Sequence, residues 1–131
     1  MTKIAVLGNG SWGSVLGSML ADNGNDVTFY GNIESVNEEI NAKHTNSHYM
    51  KDWKLNETTK ATGNLEEALD GAELVLFVLP TKAVRIVAKQ VRKVLDKTGN
   101  KPLLVTATKG IEPGTKKLIS EILTEEIYPN D

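Results

Sequence analysis

The densest chemistry in the chain lies in six residues, Gly8-Asn9-Gly10-Ser11-Trp12-Gly13. Glycines at this spacing give the backbone three freedoms: Gly8 permits a tight turn, Gly10 leaves room for a pyrophosphate, and Gly13 lets a helix pack closely on a strand. The apolar run Ile4-Ala5-Val6-Leu7 precedes the glycines and helix-spaced apolar residues follow them, so the stretch reads as strand, glycine turn and helix start. Free N–H groups and the dipole of the helix start would face phosphate oxygens. The Gly-Lys-Ser/Thr ending of a mononucleotide phosphate loop is missing, which leaves dinucleotide binding as the expectation and a plain structural turn as its alternative.

Ser11 is positioned to cap the helix and to offer its hydroxyl or amide to a phosphate. Trp12 opens an apolar helical face with Val15, Leu16, Met19 and Leu20, so it is expected in the core, with cofactor contact as the alternative. At the end of a second strand, where an acid would meet a ribose hydroxyl or a base an extra phosphate, stand Asn32 and Ile33. They leave the choice between NAD and NADP open. Lys109, after a strand expected to be buried, can place an ammonium near a carboxylate, phosphate or carboxamide. His44 and His48 have i, i+4 spacing without a third ligand, so no metal site is expected. Glu66, Glu67, Glu125 and Glu126 read as helix surface, and the basic set Lys82, Arg85, Lys89, Arg92 and Lys93 as a solvated face.

These residues must be positioned by alternating elements. A strand over 26–30 stops at Gly31-Asn32, and a short helix over 34–42 has Val36 and Ile40 inward. Residues 41–60 are polar and irregular, with a weak third strand near 58–62. Asn64 with Glu67 makes a helix cap. The continuous apolar run over 73–79, ended by Pro80, predicts a central parallel strand covered on both faces. A helix marked by Val84 to Leu95, a strand over 102–108 and a last helix starting near Thr115 complete the series. The alternation predicts an α/β fold, a Rossmann-type doubly wound parallel sheet. Its ligand rim would gather the glycine turn, Gly31-Asn32, Leu79-Pro80 and Thr108-Lys109.

Composition narrows the function classes. At 131 residues with 40% hydrophobic content, the chain has the size of one domain with a real core. A net charge of −2 gives no reason to expect a nucleic-acid partner. The apolar runs are too short for a membrane span, no signal peptide is recognisable, and a cytoplasmic location is expected. Without cysteine there is no disulfide framework and no thiol nucleophile.

Taken together, Leu7 to Gly13, Asp22-Asn23-Gly24-Asn25-Asp26-Val27, Ala61-Thr62 with Leu65-Glu66-Glu67-Ala68, Leu79-Pro80-Thr81 with Arg85, and Thr108-Lys109-Gly110-Ile111-Glu112 resemble the N-terminal, cofactor-binding part of bacterial NAD(P)-dependent glycerol-3-phosphate dehydrogenase. The resemblance implies hydride transfer between glycerol 3-phosphate and dihydroxyacetone phosphate, feeding phospholipid synthesis, with NAD or NADP as cofactor and a small phosphate substrate as partner. It implies a cofactor site of Gly8, Gly10, Ser11, Trp12, Gly13, Asn32, Pro80 and Lys109, with Lys109 also on substrate, and it places Tyr49 in the family's mobile loop. Members of the family continue through a Ser-Gly-Pro strand and an all-helical substrate domain that supplies the catalytic lysine. Residues 1–131 are therefore expected to be a cofactor half that lacks this domain and turns over little or no substrate alone, and a homodimer is left open. The competing readings are the cofactor half of a hydroxy-acid or sugar-nucleotide dehydrogenase and a non-catalytic nucleotide-sensing module.

Overall fold

A computed structural model of the chain describes residues 2–107 and 110–129, and of residues 51 and 52 only the backbone. Its elements follow the alternation in the sequence: β1 (Lys3–Leu7), α1 (Ser11–Asp22), β2 (Asp26–Tyr30), α2 (Glu34–Lys43), β3 (Thr45–Asn46), β4 (Met50–Lys54), β5 (Lys60–Thr62), α3 (Leu65–Leu69), β6 (Leu74–Phe77), α4 (Thr81–Thr98), β7 (Leu103–Thr106) and α5 (Ile119–Ile127). Five strands form one parallel sheet in the order β5-β2-β1-β6-β7. The chain builds outward from β1 to β5 and then returns to add β6 and β7 on the other side. The direction of winding therefore reverses between β1 and β6, and that switch point opens a crevice at the carboxyl ends of the strands.

Because side chains alternate across each strand, the sheet has two cores. On one face Ala5, Leu7, Val75 and Phe77 pack with Val84, Ala88 and Val91 of α4 and Ile122 of α5. On the other, Ile4, Val6, Val27, Phe29 and Leu76 pack with Val36 and Ile40 of α2. The continuous apolar sequence of β1 and β6 is the consequence of burial on both sides. Asn64 caps α3 as expected, its side chain accepting from the Glu67 N–H at 3.1 Å.

Four expectations need correction. The irregular stretch contains an antiparallel hairpin, β3 with β4, before β5 joins the main sheet. The strand before Lys109 is not buried: β7 is an edge, and Leu103 is 64% exposed because no helix among the described residues covers that face. The last helix starts at Ile119, not near Thr115. Left-handed backbone at Gly114 (φ 92°) and Lys116 (φ 60°) turns the chain into a tight loop first, closed by an Ile111–Leu118 bridge. Finally, α1 buries not its large apolar residues but Gly13, Ser14, Gly17, Ser18 and Ala21. Trp12 is 58% exposed and Met19 is exposed as well. Close approach is the reason: a Cβ on Gly17 would lie 2.3 Å from the Phe29 ring.

Candidate functional site

The glycine turn stands at the switch point. Gly8 has φ 119°, and a Cβ there would lie 2.1 Å from the Val78 carbonyl oxygen at the end of β6. A side chain at Gly8 is thus excluded by both conformation and space. Its N–H donates to the Tyr30 carbonyl at 2.9 Å, which joins the turn to the end of β2. At Gly13 a Cβ would lie 2.2 Å from the Gly8 carbonyl oxygen, so the first turn of α1 rests directly on the turn below it. Gly10 is different. A Cβ there meets no heavy atom within 4 Å.

Gly10 is also the N-cap of α1, with extended backbone and no side-chain cap. Ser11 is therefore already inside the helix and does not cap it; its Oγ donates instead to the Tyr49 carbonyl at 3.2 Å, reaching the β3–β4 hairpin. Trp12 and Tyr49 are both exposed beside this turn, which corrects the core role expected for Trp12. Its ring faces solvent because the tight contact at Gly13 belongs to the neighbouring side of the helix.

A second ring of contacts was not foreseen from the sequence. Asn9 Nδ2 donates to Asn37 Oδ1 at 2.8 Å, and Asn37 Nδ2 donates to the Gly31 carbonyl at 3.0 Å. From the hairpin, Asn46 Nδ2 donates to the Asn9 carbonyl at 2.7 Å and to Ser14 Oγ at 3.0 Å. All three asparagines are buried. Glu39 holds the same hairpin by accepting from the Thr45 and Ser47 hydroxyls and the Ser47 N–H. Those hydrogen bonds, Thr45 first, keep its carboxyl below the ordinary carboxylate range. Asn32 is exposed at the end of β2, and Ile33 is the N-cap of α2.

Across the crevice, Pro80 is the N-cap of α4, and its carbonyl accepts from the Ala83 N–H at 2.8 Å. Lys109 and Thr108 lie outside the described residues. The chain after them is held by an ionic cluster that corrects the solvated-face expectation for Arg85 and the surface expectation for Glu126, while Glu125 is exposed as expected. Arg85 is not on a solvated face: it donates from Nε and Nη2 to both Glu112 oxygens at 2.8 Å and from Nη1 to Glu126 at 2.6 Å and Glu125 at 3.1 Å. Glu125 and Glu126 are accordingly partners of Arg85, and Lys117 also pairs with Glu125. The Arg85 hydrogen bonds, helped by the Thr115 hydroxyl, lower the Glu112 carboxyl to about 2. They raise the already high guanidinium value further. A cavity of about 280 Å³ lined by Arg92, Gly99, Lys101 and Tyr128 sits at the amino ends of the strands, away from this rim.

A parallel sheet in this order, with a glycine turn feeding a helix N-terminus at its switch point, defines a Rossmann-type nucleotide-fold domain. The crystal structure of glycerol-3-phosphate dehydrogenase from Coxiella burnetii superposes with a TM-score of 0.84 at 31% identity, covering 95% of this chain and 37% of that one. UDP-glucose dehydrogenase from Pyrobaculum islandicum, at TM-score 0.72 and 20% identity, covers 96% of this chain and 33% of its own and shares the fold.

The family model for the NAD-dependent glycerol-3-phosphate dehydrogenase N-terminus matches residues 3–131, and the chain belongs to that family. Glycerol-3-phosphate dehydrogenase (NAD(P)+) of Lactobacillus helveticus (strain DPC 4571) is 92% identical over 131 residues, which are all of this chain and 39% of that protein. The protein of the same name from Streptococcus equi subsp. equi (strain 4047) is 53% identical over 125 residues, 95% of this chain and 36% of its own. The chain thus spans about two fifths of the length of these curated relatives.

Proposed function

We propose that residues 1–131 form the dinucleotide-binding domain of an NAD(P)-dependent dehydrogenase that interconverts sn-glycerol 3-phosphate and dihydroxyacetone phosphate. The observation that carries the reading is the open space at Gly10, on the N-terminus of α1 at the switch point, in a chain of this family. A diphosphate there would take hydrogen bonds from the first amides of α1, favoured by the helix dipole. Gly8 and Gly13 keep the turn low enough for that approach, and Ser11 adds a hydroxyl at the same edge. Trp12 offers an exposed ring to one side of the crevice, Pro80 forms the opposite lip, and Asn32 lies where the adenosine ribose would reach. Lys109 would bring a cation to cofactor and substrate phosphate or carbonyl. When bound, the nicotinamide supplies the acceptor or donor of the hydride.

The domain would hold cofactor while the proton-transferring group comes from the portion of the longer relatives that this chain does not match. The test is calorimetric titration with NADH and NADPH, followed by addition of dihydroxyacetone phosphate to the NADH sample. Binding with no loss of the nicotinamide absorbance band is expected, and weakened binding in Lys109→Ala. Absence of binding to both dinucleotides would reject the cofactor role, and brisk turnover would reject the division of labour.

A further inference from the structure

The buried asparagines do more than fill space beneath the glycine turn. Asn9 and Gly10 share one peptide unit, whose carbonyl oxygen receives two hydrogen bonds from inside the protein: Asn46 Nδ2 at 2.7 Å and Ser14 Oγ at 3.2 Å. The chain contains no cis peptide among its described residues, so the N–H of Gly10 points opposite to that carbonyl. Pinning the carbonyl inward therefore turns the Gly10 N–H away from Asn46 and Ser14, at a residue where an added Cβ would meet no heavy atom within 4 Å.

The donor comes from far along the chain. Asn46 is 0% exposed, sits in the two-residue strand β3, and its Oδ1 accepts nothing from the described residues. Burying an amide with an unmet oxygen is costly, and an aliphatic residue of similar size would fill the space without that cost. What the amide adds is direction: Nδ2 reaches the Asn9 carbonyl and the Ser14 hydroxyl together. Asn9 is braced from its other end as well, through Asn37 to the Gly31 carbonyl.

We propose that Asn46 is a positioning residue for the dinucleotide site, fixing the Asn9–Gly10 peptide from the β3–β4 hairpin so that the Gly10 N–H faces the diphosphate. The inference rests on the dinucleotide-binding reading above. Asn46 itself touches no ligand.

The test compares the 131-residue chain with Asn46→Ala and with Ile122→Val, a core change on the opposite face of the sheet. NADH affinity is measured by fluorescence titration at a temperature where circular dichroism shows each protein folded. The orientation of the Gly10 N–H is read from its residual dipolar coupling without ligand. Asn46→Ala is expected to weaken NADH binding about tenfold, the order of one lost hydrogen bond, and to change the Gly10 coupling. Ile122→Val should lower the melting temperature and leave both quantities unchanged. If Asn46→Ala does not fold, Ser14→Ala removes the second donor to the same carbonyl and should show the same two changes at smaller size. An unaltered Gly10 coupling, an unaltered affinity, or an equal loss of affinity in Ile122→Val would overturn the proposal. Should the unmodified chain bind no NADH, the dinucleotide reading fails, and the Gly10 coupling still decides whether Asn46 orients the peptide.

Discussion

The two sides of the crevice are held by different forces. On the β2 side, neutral amides buried between the glycine turn, α2 and the β3–β4 hairpin set the backbone, with Asn9, Asn37 and Asn46 each bonded to another element. On the β7 side, charge does the holding: Arg85 gathers Glu112, Glu125 and Glu126 from the chain that follows Lys109. Neutral buried hydrogen bonds are indifferent to salt and to pH across the carboxylate range, whereas ion pairs near the surface are screened and titrate. The expected division is a rigid β2 side and a β7 side that answers to salt and to acid.

The largest break in this contrast should come at Gly8. Gly8→Ala sets a Cβ against the Val78 carbonyl in a left-handed conformation, and a loss of about 3 kcal/mol or more is expected in urea unfolding. Next comes Gly10→Val. With no atom within 4 Å of the new Cβ, its folding stability should fall by only about 1 kcal/mol through the poorer cap, while NADH binding is lost in calorimetry.

The ion-paired loop on the β7 side should respond to acid where the asparagine set does not, while on the β2 side the acid-sensitive contact is the Glu39 carboxylate that holds the hairpin. The folded-state value of Glu112 lies below its ordinary one, at about 2, so its pairing contributes fully above the ordinary carboxylate range and is lost as pH falls toward that value. Amide protection factors, with the intrinsic pH dependence of exchange divided out, should therefore fall at Gly110–Leu118 as pH drops below the ordinary carboxylate range, before they fall around Asn9 and Asn37. Glu112→Gln should abolish that early step. The smallest effect is expected from salt: molar chloride should raise exchange around Glu112 modestly and leave the asparagine set unchanged.

Much of the fold was legible because the strands that matter most are buried on both faces. Val6, Val75 and Phe77 announce themselves as continuous apolar sequence, and the glycine turn is a local signal with its strand and helix beside it. The α1 packing was not legible from apolar periodicity, since close approach selects the smallest residues. The usable signal was Gly13, Gly17 and Ala21 at four-residue spacing. The hairpin escaped because β3 has two polar residues and no alternation to read. Both holding networks escaped for another reason: Asn9 finds Asn37 and Asn46 at separations of 28 and 37 residues, and Arg85 finds Glu112 at 27. Nothing local in the sequence marks such pairs, although a buried-looking cluster of asparagines around a glycine turn is a cue worth following.

The central claim is that the amides beginning α1 are where a dinucleotide is held, and an amide-resolved NMR titration of the chain with NADH tests it most directly. Saturable shifts at Gly10, Ser11, Trp12 and Gly13, with residues 99–103 at the amino ends of the strands unmoved, are the predicted result. Shifts centred on residues 92–102 and 127–129, with the glycine turn silent, would contradict it.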